Sequence, residues 1–119
     1  MAVPAVSSCL MVLKKRSDFL AAAKARRAPV AGFLLQARQR GDDSGPRVGF
    51  TCSKKVGNAV TRNRAKRRLR ALAREMLPLF RSGWDYVLIG KPEATVSRDF
   101  ADLRADFHAA LARVHPGQA

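Results

Sequence analysis

The chain has 119 residues, 47% of them apolar, and a formal net charge of +14 from 23 Lys and Arg against 9 Asp and Glu. That length suits one domain with a single modest core, and no apolar run approaches the roughly 18 residues of a membrane span. Positive charge in this excess makes a compact chain repel itself, so it points to a polyanionic partner and not to a membrane.

Residues 1–10 read as a loose tail. The apolar stretch from Ala5 to Leu13 is followed, not preceded, by Lys14, Lys15 and Arg16. A secretory signal has the opposite order, so a cytoplasmic location is expected. Ser17 then offers an N-cap, with Asp18 well placed for the helix dipole, for an Ala-rich helix from Asp18 to about Ala28 that Pro29 ends. Val30 to Arg38 has strand composition, with Phe33, Leu35 and Ala37 on one face and Leu34, Gln36 and Arg38 on the other. The run Gly41-Asp42-Asp43-Ser44-Gly45-Pro46 is a loop. Arg47 to Ser53 is a second strand, with Val48, Phe50 and Cys52 on one side, and the two strands read as an antiparallel hairpin.

Lys54 to Asn58 forms a turn into a long helix from about Ala59 to Met76, whose apolar stripe is Ala65, Leu69, Leu72, Ala73 and Met76. Arg64, Lys66, Arg67, Arg68, Arg70 and Arg74 fill the remaining arc, and Arg62 projects near the apolar side at the helix start. Tyr86 to Gly90 is a third strand. Ser97 reads as the N-cap of a last helix with Asp99 in its first turn and the stripe Phe100, Leu103, Phe107, Leu111 and Val114. The expected organisation is a single α+β domain over residues 11–115, with helices packed on a small mixed sheet and a short tail at 116–119.

Charge is concentrated in the middle of the chain. Residues 54–74 carry nine basic side chains and no acid, whereas 75–119 carry five basic and six acidic. A solvated helix face normally mixes both signs, and like charges in one block repel unless a partner neutralises them. The segment from Ser53 to Arg70 supplies backbone N–H groups at a helix start, which attract phosphate, and guanidinium forks, which bind phosphate oxygens in pairs. Asn63, between Arg62 and Arg64, can bond a phosphate, a base edge or metal-bound water. The candidate RNA-binding set is therefore Lys54, Lys55, Arg62, Asn63, Arg64, Lys66, Arg67, Arg68 and Arg70.

Other chemistries find little support. Cys9 and Cys52 have no Cys-x-x-Cys or His neighbour of zinc spacing and read as reduced thiols, the second packed in a strand. A metal-dependent nuclease needs clustered carboxylates, which the basic motif lacks, and His108 and His115 read as surface histidines without an acid partner. No catalytic residue is expected. A helix-turn-helix reading fails because a strand and turn, not a short helix, precede the basic helix.

The run Lys54-Lys55-Val56-Gly57-Asn58-Ala59-Val60 followed by Arg62-Asn63-Arg64 resembles the signature of the bacterial ribonuclease P protein family. Lys14 to Phe19, Arg47 to Phe50 and Asp85 to Ile89 resemble flanking segments of that family in the same order. The resemblance covers about residues 12–114. It implies an α/β sandwich like a ribosomal-protein domain, in the order α-β-β-β-α-β-α with a left-handed crossover around the motif. Three strands are legible in the residues, and the fourth falls near Pro29 or within the loops.

The resemblance also implies a protein that binds a catalytic RNA subunit through the Arg-Asn-Arg helix. That RNA cleaves the 5′ leader from precursor tRNA with magnesium (Mg2+), and the protein holds the leader in a cleft between the sheet and the first helix. Phe19 matches the cleft aromatic, the other reading being a core aromatic. Ala23 and Gln36 stand where many relatives have aromatic residues, which shifts expected leader contacts toward Gln36, Arg38 and the lysines. A ribosomal or RNA-chaperone protein is the alternative that composition and fold class allow. The spacing from Lys54 to Arg64 favours the first reading.

Overall fold

In the computed structural model, residues 11–115 are described. The expected tails at 1–10 and 116–119, and Cys9 with them, lie outside that range. Along the chain run β1 (Met11–Val12), α1 (Arg16–Ala23), β2 (Arg26–Pro29), β3 (Phe33–Gln39), β4 (Arg47–Thr51), α2 (Ala59–Met76), β5 (Trp84–Gly90), α3 (Ala94–Ser97) and α4 (Phe100–Val114). Apart from the two-residue β1 and the single-turn α3, this is the order α-β-β-β-α-β-α.

The strands form one sheet in the order β1-β4-β5-β3-β2. β5 pairs antiparallel with β3 and parallel with β4, and α2 makes the crossover between the parallel pair. Side chains alternate across the strands. Ala28, Phe33, Leu35, Ala37, Val48, Tyr86 and Leu88 face the main core, which α2 closes with its apolar stripe and α4 closes with Leu103, Phe107, Ala110, Leu111 and Val114. The opposite face carries Leu34, Gln36, Arg38, Gly49, Val87 and Ile89 and is covered in part by α1. There Phe19 and Ala22 pack with Leu13 and Val87. The molecule is thus three layers, with α1 on one side of the sheet and α2 with α4 on the other.

Three expectations are corrected. The hairpin does not form, because β5 lies between β3 and β4 and pairs with both. β5 is buried along nearly its whole length, the mark of a central strand, so the two earlier strands gain more by flanking it than by joining each other. The first helix stops at Ala23 after only eight residues, and Arg26–Pro29 is the missing strand. Ala28 fills a fully buried place opposite Leu35, and that tertiary gain overrides the helical preference of an Ala-rich run. Pro29 is tolerated because β2 is an edge strand. Finally, Ser97 belongs to α3, where its hydroxyl donates to the Glu93 carbonyl, and Asp99 takes the N-cap position of α4.

At one end of the sheet a charged cluster replaces apolar packing. Asp85 on β5 is fully buried between Arg38 and Arg47 of its neighbouring strands. Arg47 Nε and Nη2 each donate to it at 2.8 Å, and Arg40 Nη1 donates at 2.6 Å. Burial alone would push this carboxyl up, but the Arg47 and Arg40 bonds outweigh it and hold the group below its ordinary range. Asp18 of α1 adds ion pairs to Arg38 at 3.4 Å and Arg47 at 3.5 Å, fastening the first turn of α1 to the sheet.

Candidate nucleic-acid interface

The chain leaves β4 through a 3-10 turn at Lys54–Val56, where Ser53 Oγ accepts from the Lys55 N–H at 3.3 Å. Gly57 follows at φ +148°, a region that L side chains rarely adopt, and a Cβ there would lie 2.9 Å from Thr61. Asn58 caps α2, its Oδ1 accepting from the Thr61 N–H at 2.9 Å. This turn puts Lys54 and Lys55, both exposed, just ahead of the basic helix.

Helical periodicity then divides the α2 side chains into strips around the buried stripe. Arg62, Lys66 and Arg70, spaced by four, run along the flank beside β4. All three act on the Cys52 thiol electrostatically, and the Arg70 guanidinium lies 5.7 Å over the Phe50 ring. Arg62 is half-buried, and its Nε is buried with no hydrogen bond to the described residues. Val60, Asn63, Arg64, Arg67 and Arg74 form the outward crest and are exposed. None of these crest and β4-flank cations is in an ion pair among the described residues.

Arg68 is placed differently. It lies on the other flank, toward α3 and α4, where Nη1 donates to the Thr95 carbonyl at 3.0 Å and to that of Val96, and Nη2 donates to Arg98 O at 2.6 Å. The structure therefore gathers Lys54, Lys55, Arg62, Asn63, Arg64, Lys66, Arg67 and Arg70 on one surface and turns Arg68 away from it.

Phe19, Gln36 and Arg38 share the opposite, α1 side of the sheet. Phe19 is half-buried and lies directly on Gly49, where an added Cβ would meet its ring at 2.6 Å. Gln36 is only 6% exposed, so it has little surface to offer a ligand. Arg38 is partly exposed but shared between Asp18 and Asp85. In register with these, half-buried Leu34 and Ile89 and exposed Arg27, Pro29 and Thr51 complete the face. Leu34 shares this face with Gln36 and Arg38 as its alternation predicts, whereas Arg27, Pro29, Thr51 and Ile89 join it through strand pairings that no local pattern reveals.

The remaining reactive groups are structural. Burial pushes the Cys52 thiol up, only partly opposed by Lys66, so it packs as a protonated side chain. His108 is exposed, but His115 is not the surface histidine expected. It is 3% exposed, its Nε2 is 2.8 Å from the Tyr86 hydroxyl, and its ring meets Trp84 edge to face at 4.5 Å. Burial lowers its pKa from 6.5 to about 4 and raises that of Tyr86 to about 12. Among the described residues no three His, Cys, Asp or Glu converge on a possible metal site. Likewise none of their helices is long and apolar enough to cross a membrane.

Fold and surface together define a small α+β RNA-binding domain that presents one acid-free basic helix start. The model of the ribonuclease P family matches residues 10–115. The chain is 59% identical to the ribonuclease P protein component of Ruegeria pomeroyi, over 94% of this chain and 95% of that protein. It is 52% identical to that of Caulobacter vibrioides, over 83% of this chain and 67% of that one. The chain belongs to the ribonuclease P protein family. Among solved structures, the ribonuclease P protein of Thermotoga maritima shares the fold with a TM-score of 0.71 at 24% identity, covering 89% of this chain and 97% of that one. The Staphylococcus aureus protein does so with a TM-score of 0.70 at 23% identity, covering 87% and 94%.

Proposed function

We propose that this chain is the accessory subunit of a ribonucleoprotein endonuclease that matures the 5′ end of tRNA, with the hydrolysis carried out by an RNA subunit. The observation that carries this reading is the crest and β4 flank of α2. There the family's Arg62-Asn63-Arg64 run opens a helix that carries no acid before Glu75, whose carboxylate bonds Arg104. Lys54, Lys55, Arg64, Arg67 and Arg70 supply charge to phosphates, and Asn63 supplies a directional donor and acceptor. Arg62 is half-buried with no ion pair among the described residues, and its guanidinium would add a charge-assisted contact to the same phosphates.

The 5′ leader of precursor tRNA would lie on the α1 side of the sheet. Phe19 offers the exposed part of its ring for stacking, Leu34 and Ile89 an apolar floor, and Arg27 and Arg38 charge at the margin. In this reading the magnesium ions are held by RNA phosphates. The protein's part is to neutralise and position the strands.

The test is reconstitution with the ribonuclease P RNA of a close relative. The protein should restore precursor-tRNA cleavage at magnesium concentrations where that RNA alone is slow, and should cut nothing by itself. Absence of stimulation by correctly folded protein would refute the reading, as would cleavage at the mature 5′ end by an RNA-free sample.

A further inference from the structure

Arg64, Arg67 and Arg68 are indistinguishable as letters in a basic run, yet the fold spends them differently. The crest arginines point outward, whereas Arg68 has at least three N–H···O bonds inside the protein, to the Thr95, Val96 and Arg98 carbonyls. Two of those carbonyls belong to the last turn of α3 and the third to the link into α4. This is where a helix leaves carbonyls unpaired and where a cation is favoured by the dipole. The guanidinium also lies 5.7 Å over the Phe100 ring, and Arg104 of α4 lies 4.8 Å over the same ring while bonding Glu75 of α2.

The strip of α2 that meets α3 and α4 is thus compensated by carbonyls, an aromatic face and a carboxylate. Among the described residues the crest cations have no such compensation, and on the β4 flank only Arg70 has part of it, from the Phe50 ring 5.7 Å away. The segment that Arg68 grips is itself anchored, since Thr95 Oγ1 donates to Gly32 O at 2.6 Å and Lys91 Nζ bonds Val30 O.

We propose that Arg68 is a positioning residue: it clamps the RNA-binding helix to the α3–α4 corner and so fixes how the crest is presented, without touching RNA. This rests on the proposed function of α2. A three-carbonyl grip needs the planar, forked guanidinium, and a lysine ammonium cannot reproduce it. Without the clamp, α2 would have to be ordered by the RNA as it binds, which costs affinity but leaves the number of phosphate contacts unchanged.

The experiment compares Arg68→Lys and Arg68→Met with Arg67→Ala. Binding to a ribonuclease P RNA from a close relative is measured across a salt series, well below each variant's thermal midpoint. Hydrogen exchange of the α2 amides is followed in the free proteins, with Arg68→Lys as the milder variant should Arg68→Met fold poorly. For Arg68 variants the expected result is faster α2 exchange and affinity lower by about tenfold, which is about 1.4 kcal/mol. The log–log salt slope should be unchanged. Arg67→Ala should instead flatten the slope by about 0.7–0.9, one phosphate contact.

An Arg68 variant that flattens the slope in the same way would show that Arg68 contacts phosphate, overturning the clamp. Unchanged affinity in a variant of lower midpoint would reduce it to a stability role and overturn the positioning claim. If the unaltered protein fails to bind the RNA, the proposed function falls, and α2 exchange still decides whether Arg68 holds the helix.

Discussion

Phe19 belongs half to the satellite core and half to the surface, and the two halves make separable predictions. Its ring rests on Gly49 among Leu13, Ala22 and Val87. Phe19→Ala should therefore destabilise by less than the about 3–5 kcal/mol of a fully buried Phe. If the exposed part stacks on a leader base, worth about 1–3 kcal/mol, affinity for leader-bearing precursor tRNA should fall roughly five- to a hundredfold. Affinity for leaderless tRNA should hold, and parallel titrations of the two substrates decide the matter. His115 makes a different prediction. Its folded pKa of about 4 lies below the ordinary 6.5, so the unfolded chain binds the extra proton first. Its contribution is fully present above pH 6.5 and is lost as pH falls from about 6.5 toward 4. Denaturant midpoints taken across that window should drop for the natural protein. His115→Gln, starting lower, should lose less over the same range. An equal drop in both would remove His115 as the titrating group.

Elements are held in register by groups the sequence did not advertise. Asp85 ties β3, β4 and β5 together through Arg38, Arg40 and Arg47, and α1 through Asp18. Removing a buried partner leaves the others uncompensated, so Asp85→Ala should cost about 3–5 kcal/mol in urea unfolding. A loss under about 1 kcal/mol would mean the arginines find water instead. Why α2 was legible and this cluster was not follows from range. The α2 boundaries and buried stripe were readable because its periodicity and the Gly57-Asn58 cap are local. The place of β5 between β3 and β4, the strand hidden in Arg26–Pro29, and the burial of His115 against Tyr86 are decided by partners far away in the chain. The site divides the same way. That α2 presents a basic arc could be read from the letters, but that Arg68 faces α3 required knowing where α3 lies.

At the scale of the whole molecule, the net charge of +14 is distributed over two sides of one thin sheet. If about five phosphates of a single-stranded leader are neutralised, binding should weaken with salt along a log–log slope of about −3.5, at about −0.7 per contact. A slope near zero in a salt titration would mean that the cations of the α1 side do not hold the leader. The central position of β5 has a consequence for how the molecule comes to exist. β3 and β4 are made well before residues 84–90, and neither can complete its hydrogen bonding until that strand arrives to fill the gap between them. Loop closure over such separations makes sheet assembly late and slow relative to helix formation. During synthesis the nascent chain therefore emerges with its cationic helix already able to form while the strands on either side of the gap still lack their shared partner. In that interval a nearby polyanion meets the charge before it meets the fold.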